Sequence, residues 1–132
     1  MLSDYAPMPT LAVSDMQAAR AFYEGVLGFT PRPEADTPDG VAYTSGSGSF
    51  LVYPSSFAGT NKATAMSFMV TAEEFTAAVA MLRDKGVSFQ TFEMEGLTWD
   101  DGVASMGEST HSVWFEDPDG NIINVGTGLT DG

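Results

Sequence analysis

The chain contains one histidine, His111, and no cysteine, which excludes disulfides and thiolate metal sites from the outset. His111 is the natural candidate for a general base, but spacing assigns it no Ser or Cys partner. A solitary histidine at the start of a strand is also an ordinary structural residue, so no catalytic residue is assigned. Trp99 stands in GLTWDDG beside Asp100 and Asp101. An indole flanked by carboxylates suits a planar or cationic ligand through stacking and charge attraction; the plainer role is to pin a loop to the core. The stretch VWFEDPDGNIINV, residues 113–125, reads as a strand, a turn and a returning strand that carries the amide of Asn124 among aliphatic neighbours. Strand alternation puts Ile122 and Asn124 on one face. There the amide either lines a cleft, donating and accepting hydrogen bonds, or ties down a loop backbone. Trp114 likewise faces a cleft or belongs to the core. Glycines at 45–48 (SGSG) lack the Lys and following helix of a phosphate loop, and read as a hairpin turn.

The composition narrows the partners. A length of 132 residues, an apolar fraction of 43% and nine Phe suit one compact domain with a real core, and 17% charged residues is not a disordered composition. Eighteen acids against five bases give a net charge of −13, which argues against nucleic acid, since phosphate contacts need Lys and Arg. No apolar run approaches membrane-spanning length, and MLSDYAPMP lacks the basic and apolar regions of a secretory leader, so cytoplasmic residence is expected. Acids concentrate at Glu93, Glu95, Asp100, Asp101, Glu108, Glu116, Asp117 and Asp119, with no Lys or Arg between them. This is a solvated acidic face, a salt adaptation, or a field that draws in a cationic molecule.

The elements that must position these groups recur. TLAV leads to Ser14, with Gln17 three residues on, as a capping box, and a helix is predicted over 15–27 with Met16, Ala19, Phe22, Tyr23 and Val26 on one face. Gly28 stops it. In the second half MSFMV leads to Thr71 and Glu74 in the same pattern, a helix over 72–85 presents Phe75, Val79 and Leu82, and Gly86 ends it. Strands are predicted at 29–34, 41–45 and 49–54 after the first helix, and at 87–93, 111–116 and 121–127 after the second. Residues 94–110 read as a long loop. Each half reads β-α-β-β-β, which points to a duplicated module.

The duplication, together with AFYEGVLGF at 21–29 and WFEDPDGNI at 114–122, resembles the vicinal-oxygen-chelate superfamily of glyoxalases, dioxygenases and bleomycin- or fosfomycin-resistance proteins. The resemblance implies an α+β fold, one domain over 1–132 whose two tandem βαβββ modules (about 7–56 and 63–127) curl a mixed sheet around a cleft. It places the family's metal-ligand positions at Met8, Val52, Ala65 and Asn124. None of these is a carboxylate or imidazole, so neither a metal nor another cofactor is expected. The pocket expected from the same reading takes in Met8, Thr10, Tyr43, Val52, Tyr53, Ala65, Ser67, Trp99, Trp114 and Asn124. The function implied is metal-independent binding, and sequestration, of a planar or cationic small molecule by a homodimer. The alternative is a lyase, isomerase or dioxygenase-like enzyme, either metal-dependent through His111 with Glu93 or Glu108, or metal-free through His111.

Overall fold

A computed structural model of the chain describes residues 1–127. The architecture is α+β, with one sheet and one principal helix in each half, and the chain divides into two compact units. The first unit gathers residues 1–65 together with Asp117–Asn121; the second begins at Met66, runs to Glu116 and resumes at Ile122. No helix among the described residues is long and apolar enough to cross a membrane.

In the first unit β1 (Thr10–Val13) runs into α1 (Met16–Arg20), and β2 (Thr30–Thr37), β3 (Gly40–Ser45) and β4 (Gly48–Pro54) follow. The sheet order is β1-β4-β3-β2, with β1 parallel to β4 and the other pairs antiparallel. Pro31 and Pro33 lie in β2, at the sheet's edge, where a missing N–H costs least. The register of β2 against β3 shifts between Pro31 and Asp36. Tyr23, Tyr43, Phe50 and Phe29 form the aromatic core of this unit, with ring centroids 4.9–6.4 Å apart.

The first helix differs from the expected one in two ways. Its N-cap is Asp15, not Ser14: the Asp15 carboxylate accepts the backbone N–H groups of Gln17 (2.9 Å) and Ala18 (3.2 Å). Ser14 gives its own backbone N–H to the Asp119 carboxylate at 3.0 Å. The α-helix also ends at Arg20, and residues Ala21–Val26 continue it with π-helical bonding, Leu27 donating to the Phe22 carbonyl. Tyr23 and Glu24 lie in this wider winding, and their partners are Asp117, and Tyr43 with Arg20. Gly28, at φ +81°, ends the turn.

β5 (Thr64–Met69), most of which lies in the second unit, leads to α2 (Ala72–Asp84), capped by the Thr71 hydroxyl accepting the Glu74 N–H at 3.2 Å. Phe75, Val79 and Leu82 are its buried face, as their spacing demands. Two expectations fail beyond this helix. Residues 87–93 form no strand; Gln90 makes a single backbone bond to the Trp114 carbonyl, while Phe89 lies under the Arg83 guanidinium. The segment 94–110, expected as a loop, instead contains a hairpin of β6 (Thr98–Asp100) and β7 (Val103–Met106). Asp101 and Gly102 both take positive φ, 50° and 83°, which is the two-residue turn that matches strand twist. With β8 (Thr110–Glu116) and β9 (Ile122–Gly126) the order is β5-β9-β8-β7-β6. This half therefore has one strand more than βαβββ.

Gly102 is fixed twice over, because a Cβ there would sit 3.1 Å from the Phe89 Cβ as well as at positive φ. Gly102→Ala is expected to cost about 1–3 kcal/mol in urea unfolding. An unchanged midpoint would show that this turn does not close the β6–β7 hairpin.

Candidate functional site

The turn that follows β8 is built around one buried carboxylate. Asp117 is 5% exposed. Its Oδ1 accepts the backbone N–H groups of Asp119 and Asn121, both at 2.9 Å, and its Oδ2 accepts the Tyr23 hydroxyl and the Asn121 amide, both at 2.8 Å. Pro118 presets the turn, the Gly120 N–H closes it onto the Asp117 carbonyl, and Gly120 takes a φ of +83°. The same Asn121 amide also reaches the Ala12 carbonyl at 2.8 Å. Burial, and then the adjacent Asp117 charge, push the Tyr23 hydroxyl far above the ordinary tyrosine range, so it stays a donor. Tyr43 is raised for the same kind of reason, by burial and by its 2.9 Å bond to Glu24.

Beside this turn, within the first unit, lies a cleft of about 220 Å³. Thr10, Leu11 and Ala12 form one wall, Phe57, Thr60 and Asn61 another, and Ala65 and Asn121 complete it. Two of the residues expected at a pocket, Thr10 and Ala65, meet here. The others of this half do not. Met8 precedes β1, 44% exposed. Tyr43 and Val52 correct the expectation of a pocket wall, since both have no exposed surface and belong to the core. Tyr53 is half-buried on β4, opposite Ala12. Phe57, Asn61 and Asn121 escaped the sequence reading. Asn121 alone left a signal there, as the residue closing the Asp-Pro-Asp-Gly turn.

In the second unit Trp99 and Trp114 come together with Phe92, at centroid separations of 4.9–6.1 Å. A cavity of about 350 Å³ opens beside Trp99 and is lined by Glu93, Met94, Glu95, Leu97 and Trp99. Ser67 is exposed on β5. Asn124 is 6% exposed, and its amide donates to the Val113 carbonyl at 3.0 Å. Its Nδ2 thus secures strand backbone, the second of the two roles weighed for it. His111 does have a hydroxyl neighbour: Ser105 Oγ lies 2.9 Å from His111 Nδ1, across the β7–β8 pair, and the Phe75 ring lies 6.1 Å from the imidazole. Cross-strand register brought them together, which sequence spacing could not show.

The donor set does not fit a metal of the family's kind. The four positions assigned to it supply a thioether, two alkyl groups and one amide, whose Nδ2 is bonded to backbone. Among the described residues no three His, Asp or Glu side chains gather as ligands.

The sequence profile of the glyoxalase/bleomycin resistance protein/dioxygenase superfamily matches residues 6–125. No curated protein sequence matches the chain. Solved structures do. The glyoxalase/bleomycin resistance protein/dioxygenase from Alicyclobacillus acidocaldarius superposes with a TM-score of 0.71 at 13% identity, over 96% of this chain and 92% of its own. The fosfomycin resistance protein FosX from Mesorhizobium loti gives 0.68 at 12% identity, over 96% and 94%. Lactoylglutathione lyase from Agrobacterium tumefaciens gives 0.68 at 20% identity, over 93% of each chain. At such identities the likeness is one of fold.

Tyr23→Phe keeps the ring and removes one of the four donors to Asp117, so stability is expected to fall by about 1–3 kcal/mol. The raised Tyr23 pKa means that the folded state holds this proton more tightly than the unfolded chain, whose tyrosines titrate near 10.0. Stability from this source is therefore complete below that pH and is lost as pH rises above it. Denaturant unfolding between neutral and strongly alkaline pH should show a steeper loss in the parent than in Tyr23→Phe; equal slopes would contradict the assignment.

Proposed function

The chain belongs to the glyoxalase/bleomycin resistance protein/dioxygenase superfamily, and on that premise we propose that it binds and sequesters a small planar or cationic molecule without a metal ion. The observation that carries this reading is the chemistry at Met8, Val52, Ala65 and Asn124, which together offer one amide oxygen and no carboxylate or imidazole, too few donors for a divalent ion. Each unit nevertheless holds a cavity with apolar walls and a few polar groups, the usual form of a small-molecule site. The superfamily's fold hosts both a resistance protein and a lyase, so fold alone does not choose between binder and enzyme.

A cytoplasmic homodimer completes the proposal. Four large apolar side chains of the N-terminal segment, Met1, Leu2, Tyr5 and Met8, are exposed, and a second copy would cover such surface. The acidic balance of −13 favours cationic over anionic ligands.

Thermal-shift screening of planar and cationic compounds tests the reading. A concentration-dependent rise in Tm is expected for a subset of them, with no added metal required. Light scattering on the same samples should report twice the 14.0 kDa chain mass. A flat response across the set would contradict the binder, and a chain-mass species would contradict the dimer.

A further inference from the structure

We infer that the cavity beside Trp99 is a site for an organic ammonium ion, one that carries its positive charge on an alkylated nitrogen. The inference rests on the binding reading above and names its ligand class.

The cavity is shaped locally. The Leu97 N–H bonds to the Met94 carbonyl at 3.2 Å, and Gly96, third in that four-residue turn, has φ +91°. This turn requires glycine or asparagine at its third position. It sets Glu93 and Glu95, two residues apart, on one cavity together with Trp99. The indole belongs to an aromatic cluster. Phe92 meets Trp99 edge-on at 5.2 Å and 76°, Trp114 meets it at 6.1 Å and 55°, and Phe92 meets Trp114 at 4.9 Å and 76°. Trp99 is further fixed by its place on β6, opposite Ala104. The ring is therefore an ordered wall, not a loop side chain waiting for a partner.

Three features of this wall select a cation of one kind. The π face attracts positive charge that is poorly hydrated, as alkylated ammonium groups are. Met94 and Leu97 supply apolar contact for the alkyl groups. Glu93 and Glu95 supply negative charge that nothing else neutralises: among the described residues neither is in an ion pair. The two nearest bases in the sequence, Lys85 and Arg83, form no ion pair with either of them among the described residues, and Arg83 is engaged with Asp101 and the Phe89 ring. A hard divalent ion is not served, since it needs six or more oxygens and would meet an indole and a thioether. A neutral planar molecule would gain nothing from the two carboxylates.

The test is an NMR titration with choline and with its neutral isostere, 3,3-dimethylbutan-1-ol. Choline methyl protons are expected to shift upfield and saturate, as the ring current over an indole face requires, and the isostere to bind about tenfold more weakly or not at all. Trp99→Ala should abolish the saturable shift. Because that change also removes a ring from the aromatic cluster, Glu93→Gln combined with Glu95→Gln provides a variant confined to exposed side chains, expected to weaken choline about tenfold. Equal affinity for the isostere overturns the inference, as does unchanged choline affinity in the double Gln variant. In either case compounds that still raise Tm leave the broader binding reading standing, whereas a screen with no hit at all removes that reading by itself.

Discussion

A carboxylate taken out of water must be given hydrogen bonds by the protein, and Asp117 is given four. Two come from the backbone of its own turn, one from the amide of Asn121 and one from the hydroxyl of Tyr23. The turn and the first helix thus share one buried group. The π-helical winding of residues 21–26 belongs to that arrangement, since it sets the position from which Tyr23 reaches the carboxylate. Asn121 extends the network to β1 through the Ala12 carbonyl, and Asp119 extends it to the Ser14 backbone. No buried side-chain nitrogen or oxygen among the described residues lacks a partner. A partly satisfied network of this kind would cost more than an apolar one.

The network also decides what the 220 Å³ cleft can do. Asn121 lines it, but both hydrogens of its amide are committed, to Asp117 and to Ala12. What remains for a ligand there carries no charge and mixes apolar side chains with the polar Thr10, Thr60 and Asn61. The cavity beside Trp99 has the opposite character, with two carboxylates and an ordered indole. The two recesses therefore differ in the chemistry they offer a ligand.

Much of the architecture was legible because local signals and tertiary demands agreed. Thr71 with Glu74, the apolar face of α2, the SGSG hairpin and the Asp-Pro-Asp-Gly turn all stand where their residue types put them. The misreadings have specific causes. Ser14 and Asp15 are both good caps, and only the third dimension shows that the Ser14 N–H is drawn away by Asp119. Asp101-Gly102 is a strong hairpin signal, hidden in a stretch whose acid and glycine content reads as loop. Residues 87–93 alternate like a strand, yet make one backbone bond to β8 and lend Phe89 to the Gly102 turn. The site was less legible than the fold. Alternation tells which strand residues share a face, but not whether that face meets core or cavity, and so Tyr43 and Val52 were placed on a pocket wall although both are core.

We propose that the four positions given by the resemblance, Met8, Val52, Ala65 and Asn124, with one amide oxygen and no carboxylate or imidazole among them, do not hold a divalent ion. Elemental analysis of the purified chain, prepared without chelator and then dialysed against Zn, Ni, Mn and Fe in turn, addresses it directly. The account predicts substoichiometric metal in every case and no change in Tm on adding the ions. One equivalent of any of them, retained through dialysis and lost with stability on chelation, would contradict it.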